Sequence, residues 1–220
     1  DFSGVEIVDP TRIEMFLSNK RFPGFFGWVI PTAKGCARVG LGAYCDFAND
    51  GKKNVVELFE SFIGSGKTAE KLDGAKEEGR TAGIIPMKVR GQTAKGNVML
   101  VGDAAGHVKA TTGGGVVFGS AAARIAAECI ASGKTGDYES RWKSELGKDL
   151  ALHSRVRSFL NTLSDERMES AFGLAKALGA EAFLNRFGEM DKPSRMIEGL
   201  KQGSYAPLYA VYSSFIGGSG

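Results

Sequence analysis

No run of about 18 to 20 apolar residues occurs that could cross a membrane as a helix, and the first residues do not form a signal peptide. A soluble chain is expected. Cysteine is scarce: Cys36, Cys45 and Cys129 are widely spaced, odd in number and without CxxC spacing. That pattern argues against a disulfide framework or a zinc site, so reduced thiols in a cytosolic protein and no bound metal are the plain reading. Histidine is scarcer still, with only His107 and His153. Charge of one sign is nowhere concentrated: 28 basic and 25 acidic residues, for a net charge of +3, are spread along the chain. This gives no footprint for nucleic acid. There is no internal repeat, and the only low-complexity stretch is the terminal Gly217-Gly218-Ser219-Gly220. The chain opens at Asp1 rather than methionine, so a fragment of a longer protein is expected.

With 220 residues, 43% of them hydrophobic, the chain can bury a substantial core as one large domain or two small ones. Residues 5–8 and 12–17 read as strands separated by Pro10, the second with Ile13, Met15 and Leu17 on one face and Arg12 and Glu14 on the other. Apolar runs 25–31 and 37–44 flank Thr32-Ala33-Lys34-Gly35 and predict a hairpin. After a turn-like Asn49-Asp50-Gly51, the apolar residues Val55, Val56, Leu58, Phe59, Phe62 and Ile63 follow helical spacing up to Gly64. Residues 64–68, Gly-Ser-Gly-Lys-Thr, invite a phosphate-loop reading. Ser61 stands where that loop needs glycine and a helix precedes it, so a helix end and a solvated loop are expected. Pro86 makes 83–87 an edge strand or extended loop.

The texture changes at residue 96. Residues 98–101 are a short apolar strand, followed by Gly102-Asp103-Ala104-Ala105-Gly106 and then by Gly113, Gly114 and Gly115. Residues 116–132, small and apolar, predict a buried helix closed by Gly133. Further helices follow, with Tyr138, Trp142, Leu146 and Leu150 at spacing near four, and another over 164–178. Three regions result: a sheet domain over 1–95, a strand-acid-helix segment over 96–133, and a helical region over 134–220.

The middle segment carries the chemistry. An acid just past a strand end, next to glycine, can approach a ligand closely and accept hydrogen bonds from sugar-like hydroxyls. Three glycines at a helix start leave backbone N–H groups bare at the positive end of the helix dipole, where negative charge is favoured. Asp103 and Gly113 to Gly115 fit these roles; the bland alternatives are a helix-capping or turn Asp and a flexible loop. His107 is either a hydrogen-bonded loop residue or a proton donor. His153, in a polar helical stretch, is expected at the surface. Lys109 is either solvated or paired with a phosphate or head group.

GDAAG followed by TGGG and a helix resembles the second flavin-binding motif of the FAD-dependent oxidoreductases that include aromatic hydroxylases and geranylgeranyl reductases. FGWVIPTAKGCARVGLG, residues 26–42, is similar to the aromatic-x-Trp-x-Phe/Ile-Pro segment and following Val-Gly-Leu-Gly of the geranylgeranyl reductases. The family usually has a proline just before the glycine cluster; here Ala110 stands, preceded by Lys109. The resemblance implies an α+β fold, part of a Rossmann-like FAD/NAD(P)-binding flavoprotein, with an antiparallel substrate-domain sheet and a helical C-terminal region. It implies FAD contacts from Gly102, Asp103, Gly106, Gly113, Gly114 and Gly115, with Asp103 on the ribityl chain. Phe26, Trp28 and Pro31 become candidates for the substrate cavity; for Trp28 the alternative is an ordinary core tryptophan. His107 is the one catalytic candidate.

The activity implied is reduction of carbon–carbon double bonds in geranylgeranyl or other polyprenyl lipids, with ferredoxin or NAD(P)H as electron donor and transient contact with the membrane surface. A monooxygenase of the aromatic-hydroxylase type and a non-catalytic flavin- or lipid-binding remnant stand as alternatives. The GxGxxG unit that binds the ADP half of FAD in this family is not among these residues, so the chain by itself is not expected to hold FAD tightly or to be active.

Overall fold

The computed structural model describes residues 1–44, 54–201 and 205–215. Cys45, the turn expected at Asn49-Asp50-Gly51 and the Gly/Ser tail lie outside the described residues. The chain is mixed helix and antiparallel sheet and divides into two units, Asp1–Gly83 with Asn161–Met168, and Ile84–Leu160 with Glu169–Gly220.

In the first unit, five strands are ordered β2-β3-β4-β1-β5: β1 (Phe2–Ser3), β2 (Glu14–Phe16), β3 (Gly27–Ala33), β4 (Cys36–Leu41) and β5 (Lys76–Glu77). The hairpin expected from the sequence is β3–β4, with Trp28 opposite Gly40 and Val29 opposite Val39. Residues 5–8 are not a strand. The Val5 N–H donates to the Gly35 carbonyl and the Glu6 N–H to the Lys71 carbonyl, so this stretch is tied to a turn and a helix end instead of a ladder. One face of the sheet buries Phe2, Val29, Ala37 and Val39 with Val5, Phe22 and Phe62. Phe62 is the hub, edge-on to Phe22 at 5.0 Å and to Phe16 at 5.2 Å between ring centroids. Such offset aromatic contacts add to the area buried.

Phe62 comes from α1 (Val55–Ile63), the helix read from spacing; Asn54 caps it, accepting from the Val56 and Glu57 amides, and the Glu57 side chain accepts the Asn54 N–H in return. Where a solvated loop was expected, a second short helix, α2 (Gly66–Lys71), follows and buries Thr68. The segment from Asn161 to Met168 joins this unit through Asp165, whose carboxylate accepts from Ser18 Oγ at 2.6 Å and the Asn19 N–H at 2.8 Å.

The second unit begins with a two-stranded ribbon, β6 (Ala94–Lys95) and β7 (Val98–Met99). Helices follow: α3 (Val116–Ala131), α4 (Tyr138–Thr162), α5 (Asp165–Ala177), α6 (Ala180–Phe187), α7 (Pro193–Leu200) and α8 (Ala206–Phe215), with α5 beginning in the first unit. Helix α3 is amphipathic rather than buried all round: Phe118, Ala122, Ile125, Ala126 and Cys129 recur on one stripe and face inward, while Val116 and Ile130 are exposed. Tyr138, Trp142 and Leu150 of α4 close this core, with Leu146 partly buried beside them, as their spacing predicted. Cys129 is a buried free thiol and Cys36 a half-buried one. Among the described residues no helix is long and apolar enough to cross a membrane.

Candidate functional site

The strand expected over 98–101 pairs only over Val98–Met99, then runs extended to Val101 and ends in a single 3-10 turn, Gly102–Ala105. That turn is closed by the Gly106 N–H donating to the Asp103 carbonyl at 2.9 Å and the His107 N–H to the Gly102 carbonyl at 3.0 Å. Gly106 has φ of 75°, and a Cβ there would lie 2.2 Å from the Lys88 carbonyl oxygen. Both backbone and space demand glycine.

The turn leaves Asp103 exposed at its first corner. A Cβ on Gly115 would sit 2.8 Å from Asp103 Oδ1, and one on Gly119 would sit 3.1 Å from the Gly102 Cα. Helix α3 therefore docks on the turn through two glycines, and the acid lies against the helix start. Gly115, the residue before α3, offers no side-chain cap, so the first amides of the helix are bare beside the carboxylate. Two sequence motifs ten residues apart thus form one surface: an acid, a stretch free of side chains and a helix N-terminus.

His107 turns the other way. It is 0% exposed, packs against Trp142 at 4.6 Å between ring centroids, and has no hydrogen-bond partner for either ring nitrogen among the described residues. Burial pushes its pKa below the ordinary histidine value. The structure places it in the core, while Asp103 stands at the surface.

In the first unit, Trp28 lies flat over Gly40: a Cβ on Gly40 would be 2.5 Å from the indole Cζ2. Phe25 covers Gly42 in the same manner and stacks on Phe26 at 4.3 Å, and Phe26 meets Trp28 edge-on at 5.7 Å. The Val-Gly-Leu-Gly alternation now has a reason. Val39 and Leu41 pack toward the core, while the two glycines leave the opposite face bare so that aromatic rings can lie on it. Met15, paired with Trp28 across β2 and β3, is 52% exposed on that face, and Ile13 and Leu17 are also exposed. Pro31 alternates with Trp28 onto the Val29 side, where it lines a groove of about 300 Å³ with Glu6, Asp9, Arg12 and Lys71. The structure brings Phe26 and Trp28 together but not Pro31.

No family model matches the chain. Among curated proteins it is 32% identical over 196 residues to an uncharacterized protein of Methanocaldococcus jannaschii, a match covering 86% of this chain and 49% of that one. It is 31% identical over 189 residues to the digeranylgeranylglycerophospholipid reductase of the same organism, covering 81% and 46%. To the reductase of that name from Methanothrix thermoacetophila it is 32% identical over 171 residues, covering 72% and 41%. The chain belongs to the geranylgeranyl reductase family. It spans about half the length of the curated relatives it matches. Its fold is that of a geranylgeranyl bacteriochlorophyll reductase-like protein from Thermoplasma acidophilum, with a TM-score of 0.70 at 20% identity, over 98% of this chain and 53% of that one.

In this family member the glycine loop is held by Arg157, His153 and Lys109, a role that the sequence pattern gave to none of them. Arg157, 3% exposed, donates from Nε to the Ala110 carbonyl at 3.1 Å and from Nη2 to the Thr111 carbonyl. His153, expected at the surface, is 4% exposed, with Nδ1 2.7 Å from Thr111 Oγ1. Burial first, then the Lys109 charge, lowers its pKa. Lys109 is paired, with Nζ 2.6 Å from Asp191 Oδ1. The one available signal was the i, i+4 spacing of His153 and Arg157, which puts both on one face of α4.

Proposed function

We propose that this chain supplies the ring- and ribityl-contacting site, and a prenyl-binding wall, of an FAD-dependent reductase that saturates carbon–carbon double bonds of geranylgeranyl or other polyprenyl lipids. The observation that carries the reading is the meeting of Asp103 with Gly115 at the open end of α3. A polyhydroxyl chain needs an accessible acceptor, and the exposed Asp103 carboxylate is one. The flat edge of a ring needs open backbone amides, and the amides opening α3 after Gly115, which no side chain caps, present them. The residues fit the group.

Bound FAD would supply hydride transfer. The rest is the work of this chain. Asp103 fixes the ribityl hydroxyls, and the amides opening α3, aided by the helix dipole, favour negative charge on the ring edge they face. Trp28, backed by the buried Phe26, and the exposed Ile13, Met15 and Leu17 provide an apolar face suited to an isoprenoid chain, from which water is excluded on binding. Pro31 belongs to that wall only through its neighbours, since its own side lines the groove with Val29, Ile7 and several charged residues. The electron donor, ferredoxin or NAD(P)H, and transient membrane-surface contact complete the proposal.

The test is purification of the intact protein, an absorbance scan for flavin, and mass spectrometry of a geranylgeranyl lipid after turnover with a reductant. Mass gains in steps of two hydrogens support the reading, together with loss of bound flavin in Asp103→Ala. Unreduced lipid, or oxygen uptake coupled to a hydroxylated product, overturns it.

A further inference from the structure

The Lys109 side chain lies against Gly114 of the glycine loop and is held there by Asp191. The Lys109 backbone is the hub of that loop: its N–H donates to the Gly114 carbonyl at 3.0 Å, and its carbonyl accepts from Thr112 at 3.1 Å and Gly113 at 2.8 Å. The side chain then folds back over the loop. A Cβ on Gly114 would lie 2.9 Å from Lys109 Cε and 3.4 Å from Nζ, so the ammonium is parked against Gly114. Only 14% of the Lys109 side chain is exposed, and Asp191, in the turn before α7, holds it.

The Asp103 carboxylate lies against Gly115, at the other end of the cluster from the Lys109 ammonium, and is assigned above to the ribityl chain; the remaining charged groups nearby are committed elsewhere. Arg157 is spent on two loop carbonyls, and Asp149 accepts the Ser194 N–H at 2.8 Å. Burial first, and then the Lys109 charge, lowers the pKa of His153. Lys109 is thus the cation in contact with the glycine surface, and Asp191 is the anion that offsets it.

We propose that this pair sets the reduction potential of the flavin bound at the loop, an inference that rests on the flavin reading above. Uptake of two electrons and one proton leaves the ring with one negative charge. Lys109, whose side chain is only 14% exposed, would favour that charge, and Asp191 would oppose it. Both are tuning residues acting through the field at the loop and not through contact with the reacting atoms.

The experiment is a reductive titration of the intact, FAD-loaded protein with dithionite as electron source, against a reference dye, for wild type, Lys109→Met, Lys109→Arg and Asp191→Asn. Lys109→Met keeps the stem over Gly114 and removes the charge. It is expected to weaken binding of reduced relative to oxidised flavin about tenfold, a fall of about 30 mV for a two-electron couple. Asp191→Asn is expected to move the potential upward, and Lys109→Arg to stay near wild type. A pair that merely holds the loop in shape would shift Lys109→Met and Asp191→Asn in the same direction. That outcome, or no shift in either, overturns the inference. Should Lys109→Met not fold, Asp191→Asn alone decides: an upward shift supports the proposal, and an unchanged or lower potential refutes it. Wild-type protein that takes up no flavin overturns the underlying reading instead.

Discussion

The two units bury different chemistry. The sheet unit closes on aromatic and aliphatic side chains, with Phe62 between Phe16 and Phe22, and contains neither of the two histidines. The helical unit buries His107, His153 and Arg157 as well as its apolar stripe. Buried polar groups stabilise only while their partners stay in place. The contrast teaches where each unit is vulnerable: the sheet unit to lost volume, the helical unit to lost partners and to protons.

The largest effect is expected from Phe62→Ala, which removes the hub of three rings and should cost the sheet unit about 3 to 5 kcal/mol. Amide hydrogen exchange over β3 and β4 checks it; protection retained within a factor of ten would mean that the ring cluster is not the core. Arg157→Met comes next. It keeps much of the side-chain volume but strips the Ala110 and Thr111 carbonyls of their donor, at about 1 to 3 kcal/mol, read by urea melts of the helical unit. An unchanged midpoint would mean that water replaces the guanidinium and that the loop is not held by α4.

Gly40→Ala is a smaller change with a sharper readout. Its methyl must displace the Trp28 indole, at about 1 to 3 kcal/mol, with altered tryptophan fluorescence. An unaltered spectrum would separate Trp28 from that face. The gentlest test is acid. Burial lowers the folded pKa of His107 and of His153, so both are neutral in the fold, and the stability they confer is fully present above the unfolded value of about 6.5. It drains away as pH falls below that value toward their lowered folded pKa values. Hydrogen exchange compared at pH 7.5 and about 5.5 should show loosening in α3 and α4, with little change in β3 and β4. Equal loosening in both units would erase the contrast.

Some of this was legible in the sequence because the physics is local. The stretch from Val55 to Ile63 carries both its periodicity and its cap, and Tyr138, Trp142 and Leu150 mark one helical face by spacing alone. What failed depends on partners distant in the chain. Alternation in 12–17 was legible, but which side faces the core is decided by Gly27, Val29 and the ring of Phe62, which leave Met15 outside. His153 sits among charged neighbours, so polarity pointed to the surface, yet it shares a face with Arg157, and that face serves a loop more than forty residues earlier. Asp103 and the glycine cluster were legible as types in order; that Gly115 is bare because Asp103 occupies the space follows only from the fold.

A crystal structure of the intact protein with FAD bound tests the central claim most directly. The account predicts an Asp103 carboxylate oxygen within hydrogen-bonding distance of a ribityl hydroxyl and the ring edge against residues 113–115. A flavin bound elsewhere, with Asp103 and the glycine loop facing only solvent, would contradict it.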